Sequence, residues 1–274
     1  MPRPDRNLPA PSGGSVPLPP RGASYRYDGS VEGLLGVVAE ALERKELPAS
    51  VEDGREQLWL GEARMVLRDE ARAERVLESF GTRAGGEALH TALRILLAEK
   101  PELDAALADY LLLGFHVGPA VVGFHHHPSV HAIIRMAQKV GMEIHRLTGI
   151  LRFRELASGL FWAPVEPDFN VTWAVGRHFT TRLAQRHWMI HDIGRDTAVI
   201  WNGKRLERVE VVSPLLGGEL PEDLFSDREK ATQALWREYF RSIAIPARLN
   251  PRQQARCLPR RYWKWLIEKP GNSV

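Results

Sequence analysis

The chain has one cysteine, Cys257, among 274 residues. A single thiol forms no intramolecular disulfide and no thiolate cage for zinc or an iron–sulfur cluster, so disulfide scaffolds and cysteine-based metal sites are excluded. Scarce cysteine is typical of proteins that work in a reducing compartment. We therefore expect a cytoplasmic protein.

The sequence also lacks a long apolar run. No stretch approaches the roughly 18 to 20 apolar residues that span a bilayer, so no membrane contact is predicted. Seven prolines interrupt the first 20 residues, which excludes the apolar core of a secretory signal. Residues 1–23 have too few apolar side chains to offset the entropy of ordering, and a disordered Pro-rich tail is predicted there.

The excess of positive charge is small. Lys and Arg number 37 against 34 Asp and Glu, which gives a net charge of +3 and a pI of about 9.1. Bulk charge is only a weak indication of a polyanionic partner, so the distribution of the basic residues must carry the argument.

Several catalytic and cofactor motifs are missing as well. The sequence has no Walker phosphate loop, dinucleotide fingerprint, paired-cysteine zinc knuckle or nucleophile elbow. His127 and His131 have a spacing that can bind a metal ion on a helix, but Pro128 is expected to begin that helix and to leave His127 at its cap. A polar turn explains the run His125–His127 better, and neither a metal site nor a cofactor is predicted.

The hydrophobic pattern predicts an α+β fold in a single domain over residues 24–270. After a short strand at 25–28, the chain is mostly helical to about residue 147. Ser30 and Asp69 are placed to cap helices, and Gly81 is expected to end the second of them.

A sheet-containing part is predicted over residues 148–211, where the apolar period changes from helical to alternating. Strands are expected at 150–155, 160–165, 187–193 and 198–201, with a helix from Asn170 to about Leu183 and a hairpin turn at Asn202-Gly203. No pair of these strands shows the long crossover that parallel pairing needs, so a small, mostly antiparallel sheet is predicted. Residues 212–225 are interpreted as a linker. A capping box of Ser226 and Glu229 opens the C-terminal helices, 226–268.

The densest positive charge lies between Glu238 and Glu268, with no acidic residue between them. The seven cations there are Arg241, Arg248, Arg252, Arg256, Arg260, Arg261 and Lys264. Tyr262, Trp263 and Trp265 lie among them, a combination that favours phosphate contacts and base stacking. The alternative is that the arginines pair with acids elsewhere in the fold and that the tryptophans belong to the core.

Basic residues also flank the turn at Thr148-Gly149. Strand alternation places Arg152 and Arg154 on one face, where they could clamp a backbone phosphate together. Arg146 precedes the turn on a helix, and it either joins them or pairs with Glu143 three residues earlier.

Two histidines and an aspartate are the candidates for catalysis: His178, His191 and Asp192. On a strand, His191 and Asp192 point to opposite faces, so they cannot reach one pocket without a bulge. The favoured alternative is structural, with Asp192 paired to Arg195.

A set of short features runs in order from about residue 25 to residue 268. They are Tyr27-Asp28-Gly29, Glu143 with His145-Arg146, Gly149 with Arg152-Phe153, Glu166-Pro167, His178-Phe179 with Arg182, Ile190-His191-Asp192 with Arg195, and Asn250-Pro251 leading to Arg261-Tyr262-Trp263. The set resembles a bacterial family, domain of unknown function 4130, whose members are usually labelled probable DNA metabolism proteins.

The resemblance implies an association with DNA repair or modification. Proteins of this family look like companions of a radical SAM protein thought to act on DNA, and similar domains are found joined to a uracil-DNA glycosylase-like domain. The partners implied are DNA, single- or double-stranded, and a radical SAM or uracil-DNA glycosylase-like protein.

We therefore expect a DNA-binding accessory protein that assists a separate repair enzyme. The residues expected to contact DNA are Arg146, Arg152, Arg182, Arg195, Arg248, Arg252, Arg260, Arg261, Lys264, Tyr262 and Trp263. Two alternatives stay open. One is an enzyme that processes nucleic acid through His178, His191 or Asp192, and the other is a docking module for the radical SAM or glycosylase partner.

Overall fold

The computed structural model describes residues 19–54, 62–211, 221–248 and 250–268. The chain forms two compact units, the first extending to Gly141 and the second beginning at Met142. Both contain helices and a sheet, so the predicted α+β class is confirmed.

The first unit contains a small sheet and several helices. Its elements are β1 (Ser24–Tyr27), α1 (Val31–Arg44), β2 (Ser50–Asp53), β3 (Arg64–Met65), α2 (Glu70–Leu96), a 3₁₀ helix (Pro101–Leu103), α3 (Asp104–Val117), a second 3₁₀ helix (Gly118–Gly123) and α4 (Pro128–Ile150), which continues past Gly141. β1 lies between β2 and β3 and pairs with both in parallel. The sequence predicted the first strand but not this sheet, for which α1 supplies a crossover.

The predicted helix caps of this unit are confirmed, but one predicted helix end is wrong. The Ser30 hydroxyl accepts a hydrogen bond from the Gly33 amide at 2.9 Å, and the Asp69 carboxylate accepts one from the Arg72 amide at 2.8 Å. Gly81 does not end its helix. The helical path of α2 is interrupted instead at Gly85, whose φ of 86° is open to glycine at little cost.

The most apolar helical stretch of the described residues is Pro101–Gly123. This stretch is long and apolar enough to cross a membrane. However, 56% of its most apolar 18 residues are buried inside the fold, as in the core helix of a soluble protein. Tyr110, Leu111 and Leu113 are fully buried. Gly114 brings α3 against α2, because a Cβ atom at this position would lie 2.4 Å from the Phe80 ring.

The last residues of the predicted tail belong to the first unit. Arg21 forms a β-bridge with Leu47, and its guanidinium group donates to the buried carboxylate of Asp109 at 2.9 Å. The Ser129 hydroxyl donates to the same carboxylate, also at 2.9 Å. The rest of the predicted tail, 1–18, lies outside the described residues.

The second unit contains a five-stranded sheet. Besides the end of α4, its elements are β4 (Arg154–Glu155), β5 (Phe161–Val165), α5 (Thr172–Arg182), β6 (Trp188–Asp192), β7 (Thr197–Trp201), β8 (Leu206–Glu210), a 3₁₀ helix (Glu222–Leu224), α6 (Asp227–Ile243), and then a 3₁₀ helix (Pro246–Arg248), α7 (Pro251–Cys257) and a last 3₁₀ helix (Arg260–Trp265).

The strand order of this sheet is β4-β5-β6-β7-β8. Three neighbouring pairs are antiparallel, but β5 and β6 are parallel, with Phe161 opposite Trp188 and Val165 opposite Asp192. The sheet is mostly antiparallel, as predicted, but the premise that no strand pair has the crossover for parallel pairing is wrong. The helix α5 between β5 and β6 is the crossover that parallel pairing requires.

Local predictions in the second unit had mixed outcomes. The Asn202-Gly203 turn joins β7 to β8, and the Asn202 side chain accepts from the amides of Lys204 and Arg205 at 3.0 and 2.8 Å. Asn170 does not cap α5, since Val171 is the cap residue and the Asn170 side chain accepts from Arg208. The helix α4 runs to Ile150, so the strand predicted at 150–155 is shortened to β4.

The C-terminal helix starts agree with the sequence pattern. The Ser226 hydroxyl accepts from the Glu229 amide at 3.0 Å, and the Asn250 side chain accepts from the Gln253 amide at 3.0 Å. The capping box is only half formed, because the Glu229 carboxylate accepts from the Glu155 amide. Most of the predicted linker, 212–220, lies outside the described residues.

Candidate functional site

An open cavity of about 440 Å³ lies in the second unit, bounded by the end of α4, β4, the start of β5, the end of α5 and the start of α6. The side chains that give it its chemical character are Arg152, Phe153, Glu155, Phe161, Phe179, Arg182, Arg186, Arg228 and Glu229. We call this cavity the arginine groove. It combines four cations, two carboxylates and three aromatic rings.

The aromatic rings of the groove are held by the sheet and by α5. Phe153 meets the Phe179 ring edge-on, with 4.9 Å between ring centroids, and it lies 5.7 Å from the buried ring of Trp188. Phe161, at the start of β5, has the Arg186 guanidinium group 5.5 Å from its ring centre. The apolar wall is therefore fixed by packing and does not depend on a ligand.

Three arginines of the groove carry uncompensated charge. Arg182, Arg186 and Arg228 are exposed, and no carboxylate in the described ranges forms an ion pair with any of them. Arg152 is different, because its guanidinium group lies 5.1 Å from the Trp236 ring centre and 3.8 Å from the Glu268 carboxylate. Among the described residues the first three have no ion-pair partner, so they are available to an anion.

The two carboxylates of the groove are anchored to α6 and β4. Glu229 is 7% exposed, and it accepts from the Glu155 amide at 3.1 Å and from the Gln233 side chain at 2.8 Å. The Glu155 carboxylate has a long hydrogen bond of 3.4 Å from the Ser226 hydroxyl. Glu155 thus keeps acceptor capacity that faces the groove.

A second polar cluster of this unit is buried and organised around Glu143. This carboxylate is 1% exposed and accepts from the amides of Asp168 and Phe169, both at 3.0 Å, from Arg261 at 3.0 Å and from the Tyr262 hydroxyl at 2.5 Å. Burial and the hydrogen bond to Glu143 raise the pKa of Tyr262. With its carboxylate surrounded by donors, Glu143 is a structural anchor.

Several residues that the sequence predicted to contact DNA lie in or beside this cluster. Arg261 bridges Glu143 and Asp168, and Tyr262 is only 2% exposed, which leaves its ring no face for a base. Lys264 pairs with Glu166 at 2.5 Å. Tyr262 therefore belongs to the internal packing of the second unit, whereas Arg261 and Lys264 are exposed but already paired with carboxylates.

The histidine–aspartate pair at the end of β6 is also buried. His191 accepts from the Trp162 indole at 3.4 Å, whereas Asp192 accepts from Arg195 at 3.1 Å. Burial lowers the pKa of His191 and raises that of Asp192. Arg195 also donates to the Pro167 and Asp168 carbonyls, so it ties this strand end to the loop after β5.

The three catalytic candidates are not brought together. His191 and Asp192 are successive residues of β6 and point to opposite faces of the sheet, as strand alternation predicted. His178 is exposed on α5, 5.1 Å from the Phe179 ring. None of the three lines the arginine groove.

The remaining residues predicted to contact DNA differ in their exposure to solvent. Arg248, Arg252 and Arg260 are exposed, and Arg260 lies over the Trp263 ring at 5.7 Å. Trp263 is half-buried and donates to the Leu258 carbonyl. Arg146 is half-buried on α4.

The predicted phosphate clamp of Arg152 and Arg154 is wrong. Arg154 is only 9% exposed and donates to the Trp265 carbonyl at 3.1 Å, while Arg152 precedes β4 and lines the groove. The predicted strand alternation is absent here because α4 extends to Ile150, and residues 151–153, between α4 and β4, are irregular.

Of the predicted DNA contacts, only Arg152 and Arg182 lie in the arginine groove. The sequence did not single out Arg186 and Arg228, which also line the groove. Helical spacing gave no signal for Arg186, because α5 ends at Arg182 and Arg186 lies in the turn that follows. Arg228 carried no signal either, because its position depends on how α6 packs against β4.

The run of three histidines in the first unit lies just before α4. His125 and His126 are exposed and His127 is half-buried in the turn before Pro128. Across the described ranges, no group of three or more histidine, cysteine or acidic side chains is arranged to bind a metal ion.

Fold and groove together define an α+β protein with a cationic, aromatic-walled cavity. The chain belongs to the DUF4130 family, a domain of unknown function whose family model matches residues 101–268. No curated protein and no solved structure gave a match.

Proposed function

We propose that this chain is a cytoplasmic, DNA-binding accessory protein that assists a separate enzyme of DNA repair or modification. The arginine groove carries the proposal. Three arginines without carboxylate partners beside fixed aromatic rings are what a nucleic-acid strand requires, because arginines neutralise phosphates and rings stack on bases.

The proposed DNA surface differs from the one that the sequence predicted. It consists of Arg152, Arg182, Arg186 and Arg228 in the groove. Arg195, Arg261, Lys264 and Tyr262 are left out because each already has a close carboxylate partner. The exposed residues Arg248, Arg252 and Arg260 are retained as additional phosphate contacts.

A pair of substitutions, one on α5 and one on α6, tests this function. Arg182→Ala and Arg228→Ala together should weaken binding of a fluorescent DNA oligonucleotide about tenfold at low salt, because two phosphate contacts are lost. Arg177→Ala is the matched control, since Arg177 is exposed on the same helix but does not line the groove. Equal loss in both proteins would reject the groove as the binding site.

A second candidate function is docking to a partner protein, and the exposed apolar side chains of α6 favour it. Leu235, Tyr239 and Ile243 are spaced by four residues on this helix and are 72%, 54% and 53% exposed. Patches of this kind often mark protein interfaces. The partner proposed is the radical SAM or uracil-DNA glycosylase-like protein implied by the family resemblance.

Co-purification with that partner after nuclease treatment tests the docking function. Wild-type protein should retain the partner, and Leu235→Ser with Ile243→Ser should lose it while keeping its affinity for DNA. Retention by the double variant would reject this face of α6.

A further inference from the structure

We propose that the arginine groove holds one unpaired nucleotide of a DNA strand and that Glu155 recognises the amino group of its base. This inference rests on the proposed DNA-binding function and specifies the form of DNA that is bound. It is carried by the shape of the groove and by the position of its carboxylates.

The shape of the groove excludes the usual way of reading a duplex. Duplex sequence is read by a protruding helix or strand pair that enters a DNA groove. Here the cations and rings line a concavity of about 440 Å³, within the range of small-molecule pockets. A stacked base pair cannot enter such a space, but a single nucleotide that has left the stack can.

The wall of the groove offers a place for the base. Phe161 starts β5, and Glu155 is its cross-strand neighbour in β4. Side chains of directly opposed residues lie on the same face of a sheet, so the Glu155 carboxylate is beside the Phe161 ring. A base packed on this wall would present its edge to Glu155.

The carboxylates are otherwise unexpected in a site for a polyanion. A carboxylate repels phosphate, but it accepts hydrogen bonds from the exocyclic amino group of cytosine, adenine or guanine. Glu229 is held in place by the Glu155 amide and by Gln233, so Glu155 is the carboxylate with more acceptor capacity left. Thymine, which has no amino group, should bind less well.

In this proposal the arginines contact phosphates, whereas Glu155 contacts the base. Arg182 and Arg228 belong to different helices, α5 and α6, and both line the same cavity. The strand on either side of the extruded nucleotide can therefore be contacted from two directions. Phosphate contacts of this kind set affinity without reading sequence.

Fluorescence anisotropy with short duplexes of equal length tests the proposal. One duplex is fully paired, and the others carry a single bulged nucleotide that is dC, dT or abasic. Extrusion of an already unpaired base is the least costly, so the bulged dC duplex should bind about tenfold more tightly than the paired and abasic duplexes. The dT bulge should bind less tightly than the dC bulge.

Variants separate this inference from general DNA binding. Glu155→Gln should bring the dC and dT bulges to within about twofold of each other, because an amide can both donate and accept. Glu207→Gln, an exposed change on β8, should keep the preference. Equal affinity of the wild-type protein for all four duplexes would overturn the nucleotide site and leave DNA binding intact. Absence of binding to every duplex and to single-stranded DNA would overturn the proposed function itself.

Discussion

The Tyr262 hydroxyl donates to Oε1 of Glu143 at 2.5 Å, although 119 residues separate the two in sequence. The same carboxylate accepts from two consecutive amides of the loop after β5. One buried charge therefore joins α4, this loop and the last 3₁₀ helix of the second unit. The proposed groove depends on this anchoring, because the end of α4 forms one of its walls.

Glu143→Gln should lower the free energy of unfolding of the second unit by about 2–4 kcal/mol, because the new amide group would face donors in a buried site. Tyr262→Phe should cost less, about 1.5–2 kcal/mol, since the carboxylate keeps its other partners. Urea unfolding followed by tryptophan fluorescence measures both, and seven of the eight tryptophans lie after Met142. Glu238→Gln, at an exposed residue of α6, is the control, and an equal loss there would contradict the anchoring role.

Arg195→Ala should destabilise the second unit by about 3 kcal/mol, because it leaves the fully buried carboxylate of Asp192 without its charge partner. Burial already raises the pKa of Asp192, so without Arg195 this group should protonate at a still higher pH. The loss measured by urea unfolding should therefore shrink as the pH falls through the raised pKa.

A second substitution isolates the charge of Asp192 as the cause. In the Arg195→Ala background, Asp192→Asn should recover part of the stability at neutral pH and should remove the added pH dependence. If the double variant is as unstable and as pH-dependent as the single one, the loss has another origin.

His191 should make the protein less stable in mild acid. Burial lowers its pKa in the folded state, so the unfolded chain binds a proton first as the pH falls. Its contribution is complete above the unfolded pKa of about 6.5 and is lost progressively below that value. His191→Gln should therefore show a smaller fall in melting temperature than wild type between about pH 7.5 and about pH 5. Identical falls would mean that His191 titrates as it does in water.

The sequence was most informative where a local interaction decides the structure. Ser30, Asp69 and Ser226 all cap helices as predicted, because capping requires only a side-chain acceptor and the next few amides. The direction of β5 relative to β6 was not predicted correctly. Strand pairing depends on where α5 returns the chain, and the apolar pattern of each strand is the same in either direction.

The site was less predictable because it, too, depends on how distant segments of the chain pack together. Arg261 and Lys264 look like binding residues in sequence because no acid is near them, yet Asp168 and Glu166 reach them from the loop after β5. Arg186 follows α5 and Arg228 lies on α6, so the two share a cavity only after folding. Charge density in sequence indicated a cationic protein surface but not which cations remain unpaired.

The salt dependence of DNA binding tests the central claim most directly. A plot of log affinity against log salt concentration should fall steeply for the wild-type protein. Arg182→Ala, Arg186→Ala and Arg228→Ala combined should reduce the slope by about two on single-stranded DNA, since each phosphate contact contributes about 0.7. A triple control in Arg177, Lys204 and Arg205, which are exposed outside the groove, should leave the slope nearly unchanged. A wild-type slope near zero, or equal slopes for wild type and the groove variant, would contradict the account.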